Sequence, residues 1–324
     1  MPEPVIDASC EQLLNPDAVA SAFPSGVTAI DPAESLMAVD ASIPATYPLR
    51  SLGGVACEVN NGESYNSSMG GNAAYIGARV LALPDAVSQW ERFADYYGTD
   101  GEVGHYCATE SLPLYCTTNE LVDTTWVNVT VIGAATSESA NALGASAVAA
   151  IADAPAGSAP WTIPANTTPL PADCEAIISD SAVQAATGVA TPLHSDTGGG
   201  GWSIEAAAYE NWGGRWCVWK YGNSDLTVGL LATLPGGAWA WQEASEFVST
   251  PSTPGPLAVA SLAAGDEAWL RCASDESKCI VDLVVGGNWV QATLSNREAS
   301  SLGEQYDVRA AAQKVADAIV ANIG

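Results

Sequence analysis

The eight cysteines of this chain form two sets of four, Cys10, Cys57, Cys107, Cys116 and Cys174, Cys217, Cys272, Cys279. Both sets follow one rhythm, with 46, 49 and 8 residues between neighbours in the first and 42, 54 and 6 in the second. Short motifs repeat in the same register. Cys10-Glu11 followed by Leu13-Leu14-Asn15-Pro16-Asp17-Ala18-Val19 returns as Cys174-Glu175 followed by Ile177-Ile178-Ser179-Asp180-Ser181-Ala182-Val183. Gly53-Gly54 before Cys57 is answered by Gly213-Gly214 before Cys217, Leu81-Ala82-Leu83-Pro84 by Leu231-Ala232-Thr233-Leu234-Pro235, and Trp126-Val127 by Trp289-Val290. A repeat of this length and order is a duplicated domain. The reading gives a first repeat domain over 1–154, a Pro-rich semi-rigid linker over 155–171 and a second repeat domain over 172–324.

No CxxC pair and no closely spaced histidine pair accompanies the cysteines, which argues against zinc and against a thioredoxin-like redox site. Disulfides are expected, and with them an oxidising compartment, extracellular or in the cell envelope. Four cysteines allow three connectivities per repeat, and sequence does not choose between them. The closeness of the last pair favours Cys10–Cys57 with Cys107–Cys116, and Cys174–Cys217 with Cys272–Cys279. The opening Met1-Pro2-Glu3-Pro4 has neither a basic nor an apolar export region. The expectation is therefore a mature segment cut after its signal, with Met1 an added start.

Charge removes whole classes of function. Ten Lys+Arg against thirty-seven Asp+Glu leave a net charge of −27, which disfavours nucleic-acid binding and adhesion to an anionic membrane through a basic face. Apolar runs are broken well before the roughly 18 residues of a membrane span, so none is expected.

Local patterns place the elements coarsely. Asn15 before Pro16 reads as cap and first residue of a helix through Phe23, with Ser179 or Ser181 capping its counterpart. Runs 73–83, 226–234, 125–132 and 288–294 read as strands. Asp85 is expected to cap a helix bearing Val87, Trp90, Phe93, Ala94 and Tyr97 on one face, and each repeat to end in an Ala-rich helix. In the second repeat the buried stripe of that helix is Val308, Ala311, Ala312, Val315 and Ile319. The fold class is α+β, two similar disulfide-stapled domains, each a mostly antiparallel sheet packed with helices.

The opening Cys-Glu-x-Leu-Leu-Asn-Pro-Asp-x-Val, the second cysteine in a strand, the close cysteine pair and the terminal Ala-rich helix resemble exported actinobacterial lipoproteins. They are also similar to the extracellular sensor domain of a mycobacterial serine/threonine kinase, here present as a tandem duplication. The resemblance implies a cell-envelope location and a sensor-like, ligand-binding role. It supplies no catalytic residues, and any lipid-anchored cysteine would lie upstream of this sequence.

Chemistry is sparse. His105 and His194 are the only histidines and are not equivalent in the two repeats, so both read as loop or surface residues without a metal. No nucleophile elbow, zinc-protease or phosphate-loop motif is present. Gly198–Gly201 lacks the Lys-Ser/Thr of a phosphate loop, and the neighbours Asp266-Glu267 and Asp275-Glu276 read as solvated surface. The asymmetric feature is tryptophan: beside Trp289, which matches Trp126, the second repeat holds Trp202, Trp212, Trp216, Trp219, Trp239, Trp241 and Trp269. Trp202, Trp212, Trp216, Trp239 and Trp241, with Arg215, are the candidate ligand-binding platform; filling of a larger core is the alternative. Trp216 and Trp219 must point to opposite faces of a strand. The expected function is a non-catalytic, cofactor-free envelope protein that binds a small molecule, glycan or exported protein. The alternatives are a surface scaffold and, more distantly, an unrecognised hydrolase.

Overall fold

The computed structural model describes residues 1–37, 42–65, 74–98, 103–108, 113–189, 192–196, 203–221, 226–248, 253–263, 265–296 and 305–324. For 192–196, 253, 254 and 256 the backbone alone is described. The chain divides into two compact units. One comprises Met1–Val39, Pro44–Thr162 and Trp202–Ala208, and the other Asp40–Ile43, Ile163–Gly201 and Tyr209–Gly324.

The first repeat runs α1 (Cys10–Leu13), α2 (Pro16–Ala22), β1 (Thr28–Ile30), α3 (Pro32–Met37), α4 (Thr46–Ser51), β2 (Val55–Asn60), β3 (Gly77–Leu83), α5 (Val87–Tyr97), β4 (Gly104–Ala108), β5 (Tyr115–Val122), β6 (Thr125–Ile132) and α6 (Ser137–Ala152). The second runs α7 (Cys174–Ile177), α8 (Asp180–Thr187), β7 (Pro192–Asp196), α9 (Ile204–Trp212), β8 (Arg215–Tyr221), β9 (Thr227–Leu234), α10 (Ala238–Phe247), β10 (Thr253–Pro256), β11 (Glu267–Cys272), β12 (Lys278–Val285), β13 (Asn288–Ser295) and α11 (Val308–Ile323). The six-stranded sheet is ordered β1-β2-β3-β6-β5-β4, and the seven-stranded sheet, read from the same end, β7-β8-β9-β13-β12-β11-β10. Among the described residues the order is the same strand for strand, with β10 one strand further at the edge of the second sheet. Every pairing is antiparallel, so the fold is α+β with two similar sheets.

One face of each sheet packs on the first two helices and the last. In the first repeat Val55, Cys57, Val59, Val80, Val127, Val129 and Val131 meet Leu13, Leu143, Ala147 and Ile151. In the second, Val281, Leu283, Val290 and Ala292 meet Ala311, Ala312, Val315, Ile319 and Ile323. Asn15 caps α2 by accepting from the Asp17 and Ala18 amides, and Ser179 caps α8. Asp85 does not cap α5: it adopts φ 51° in the turn after β3, and α5 starts from Ala86 without a side-chain cap.

The repeated Gly-Gly step has one physical cause in both places. Gly53 and Gly213 each sit at φ +77°, a left-handed turn that L side chains rarely adopt. At the second glycine the chain passes so close to the adjacent strand that a Cβ on Gly54 would strike the Ala82 carbonyl, and one on Gly214 the Thr233 carbonyl. The segment between the repeats is tied at both ends. Gly157 and Ser158 donate to the Val5 and Pro4 carbonyls, and Thr168 donates to Gly286.

The disulfides are Cys10–Cys57, Cys107–Cys116, Cys174–Cys217 and Cys272–Cys279. The two long loops staple α1 to β2 and α7 to β8, while the short loops join directly opposed residues of β4–β5 and β11–β12. No described helix is long and apolar enough to cross a membrane.

Candidate functional site

The first unit carries an open cleft of about 650 Å³. Its walls are the turn Phe23–Thr28, the β2 end with Asn60, Asn61 and Gly62, and Ile76, Gly133 and Ala135. Gly26 and Gly62 hold φ +86° and +90°, and nothing lies within 4 Å of the Cβ that either lacks. Glycine therefore both makes these turns and leaves the cleft wall open. Asn60 and Asn61 are not free groups in it. Asn60 donates to Glu58 Oε1 (2.8 Å) and accepts from the Gly62 amide (2.8 Å), and Asn61 bridges Ala74 and Ile76. Ser25 and Thr28 add two hydroxyl-bearing residues to the lining, Thr28 donating to the Asn60 carbonyl, and the other lining residues are apolar or glycine.

Behind the β2 end, a buried charge cluster occupies the sheet face opposite α6. Glu58 on β2 and Arg79 on β3 are cross-strand partners, with Arg79 Nε 3.2 Å from Glu58 Oε2. Asn60 and Tyr75 donate to Glu58 Oε1. The Arg79 guanidinium stands 4.1 Å over the Tyr65 ring and 3.3 Å from Glu205 Oε1. Burial raises the Glu58 carboxyl above its ordinary range, against the opposing pull of Arg79 and of hydrogen bonds from Asn60, Ser35 and Tyr75.

The corresponding face of the second unit buries Arg271 and Asp282. Asp282 accepts from Arg271 Nε (3.0 Å), Trp289 Nε1 (3.1 Å) and Gln291 Nε2 (2.8 Å). The residues of the sequence-predicted platform occupy different settings in this unit. Trp241 is 2% exposed, and its indole donates to Glu267 Oε2, an acceptor shared with Trp269. It belongs to the core, because a ring sealed under α10 with its N–H satisfied presents nothing to a ligand. Trp212, Trp216 and Trp239 are half-buried. Trp212 donates to the Pro235 carbonyl, and Trp216 stacks on Tyr209 with ring centroids 6.5 Å apart. Trp202 lies outside the described residues. Arg215 is half-buried, but strand alternation places it with Cys217 and Trp219 on the helix-packed face and Trp216 on the other. Arg215 and Trp216 therefore do not address the same ligand. Trp219 is buried and donates to Asp180.

His105 is exposed on β4, with Nδ1 2.8 Å from Thr118 Oγ1 and Nε2 3.5 Å from Cys107 Sγ. Partial burial lowers its pKa, and nearby Glu120 opposes that shift. His105, Cys107 and Cys116 bring possible ligand atoms within 4.8 Å of one another. Both sulfurs belong to one disulfide, which leaves the imidazole as the sole donor of that group. His194 lies on β7, whose side chains are not described.

The cleft escaped the sequence reading. Its signal was present in the turn signatures Pro24-Ser25-Gly26 and Asn60-Asn61-Gly62, but nothing in sequence showed that these turns adjoin. Comparison with protein families, curated proteins and solved structures finds no match to this chain.

Proposed function

We propose that this is a non-catalytic, extracytoplasmic protein of the cell envelope that binds a small ligand in the first-unit cleft. The cleft is the observation that carries the reading. Its volume falls within the roughly 300–1,000 Å³ range of small-molecule sites, and glycine turns hold it open. Four disulfides suit an oxidising compartment. A net charge of −27 favours neutral, hydroxyl-rich or cationic ligands over anionic ones. The sensor-like and lipoprotein character rests on the short motifs alone. Half-buried Trp212, Trp216 and Trp239 support a second reading, an aromatic surface for a glycan on the second unit.

Native mass spectrometry of the oxidised protein, purified from an exporting actinobacterial host, tests the choice. A bound small molecule lost in Ser25→Trp, which fills the cleft, supports the first reading. Loss in Trp212→Ala instead supports the second. Absence of any ligand together with a stoichiometric exported protein partner would favour a scaffold.

A further inference from the structure

The two short disulfides share their geometry and differ in everything around them. Each joins directly opposed residues, with Cα atoms 4.1 Å apart in both. Counting from the aligned cysteines, His105 corresponds to Leu270 and Thr118 to Val281. Matching the buried faces of the terminal helices, Ala140, Leu143, Gly144, Ala147 and Ile151 with Ala312, Val315, Ala316, Ile319 and Ile323, puts Gly144 opposite Ala316 and Asn141 opposite Gln313. In the second repeat Leu270, Val281, Ala316, Cys272 and Cys279 all belong to one hydrophobic core. In the first, the two strand positions are the polar His105 and Thr118 and the helix position is a glycine, and with Asn141 they form a small supported site. His105 Nε2 and Asn141 Oδ1 each lie 3.5 Å from Cys107 Sγ. Thr118, 3% exposed, holds His105 Nδ1. A Cβ at Gly144 would strike Thr118 Oγ1, so the glycine makes room for the residue that orients the imidazole.

Access differs in the same direction. In the seven-stranded sheet β10 lies outside β11 and pairs Thr253 with Cys272, whereas among the described residues β4 is the last strand of its sheet. Cys107 is half-buried, while Cys272 and Cys279 are buried. A partly exposed sulfur beside an imidazole is the setting in which thiol chemistry becomes selective.

We propose that Cys107–Cys116 is a thiol–disulfide exchange site, opened by an external dithiol, with His105 as the residue that stabilises the departing sulfur. A dithiol thiolate attacks Cys107 Sγ, the Cys107–Cys116 S–S bond breaks, and Cys116 leaves as thiolate, its sulfur within 4.8 Å of a His105 ring nitrogen. The second dithiol sulfur then attacks its own partner in the mixed disulfide, and Cys107 leaves as thiolate beside His105 Nε2. The protein disulfide is reduced to two thiols and the dithiol is oxidised to a disulfide, so two electrons and two protons balance. This site is independent of the cleft.

Brief exposure of the folded protein to dithiothreitol, acid quench, alkylation and peptide mapping reads all four bonds in one molecule. Cys107–Cys116 should open about tenfold or more faster than Cys272–Cys279, because access and leaving-group stability both set the rate. His105→Leu and Thr118→Val install residues related to those the second repeat carries, and each should slow Cys107–Cys116 severalfold. The other three bonds serve as references for intact folding. Cys10–Cys57, whose Cys10 is also exposed, is the control for exposure alone and should not respond to either variant. Equal opening of the two short bonds, or an unchanged Cys107–Cys116 rate in His105→Leu with the reference rates intact, overturns the proposal.

Discussion

The two sheets agree in strand order and register but bury charge in opposite halves. Glu58 and Arg79 face each other across β2 and β3, and the aligned positions in the second sheet are Val218 and Leu230. Arg271 and Asp282 lie across β11 and β12, where the first sheet places Tyr106 and Asn119. One arrangement survives in both. Trp126 and Asn128 donate to Asn119 Oδ1, and Trp289 and Gln291 donate to Asp282 Oδ1. With a neutral amide as acceptor, the first sheet leaves Tyr106 partly exposed at its edge. A carboxylate at the same point, 0% exposed, requires a cation, and Arg271 supplies it. The fold demands a filled face and a satisfied tryptophan; the location of charge is free, provided that each buried charge brings its partner.

The comparison is broken most directly at Arg271. Arg271→Met strands Asp282 and should destabilise the second unit by about 3–5 kcal/mol, measured by denaturant unfolding followed through tryptophan fluorescence. Adding Asp282→Asn recreates the neutral acceptor of the first sheet and should recover most of that loss. A double variant as unstable as the single would show that the two triads are not equivalent.

A smaller effect sharpens it from the other side. Glu58→Val with Arg79→Leu gives the first sheet the residues of the second, and a double-mutant cycle should show the pair costing about 1–3 kcal/mol less than the two single changes added together. Additive losses would mean that Glu58 and Arg79 act separately.

The smallest effect is in pH. Burial holds Glu58 above the ordinary glutamate range, so the folded unit binds this proton more tightly than the unfolded chain. Its contribution is fully present below the unfolded pKa and is lost as pH rises through the raised value. Glu58→Gln should therefore gain stability relative to wild type as pH rises from acid to neutral, within an otherwise parallel profile. Profiles that stay parallel throughout would place the Glu58 pKa at its unfolded value.

Much of this framework was legible because it is local or periodic. The cysteine rhythm, the Gly-Gly steps, the Asn15-Pro16 cap and the stripe Val308, Ala311, Ala312, Val315 and Ile319 each express a constraint within a few turns of chain, and each is found in place. Glu58 in β2 and Arg79 in β3 interrupt otherwise apolar runs, but the sequence reading passed over them, and strand pairing was needed to show that they meet. The site residues were harder for the same reason. The cleft joins turns near 25, 61 and 133, and tryptophan composition alone could not separate the sealed ring of Trp241 from the half-buried rings of Trp212, Trp216 and Trp239.

The staple between Cys10 and Cys57 also governs how the molecule answers a mechanical load. A pull on the N-terminus passes through the sulfurs at Cys10 directly into β2, so the helices and strand between the two cysteines bear none of it. The enclosed stretch, with a sequence separation of 47 residues, could extend to about 160 Å if freed. That length stays hidden while the bond is oxidised and becomes available to a stretching force once it is reduced.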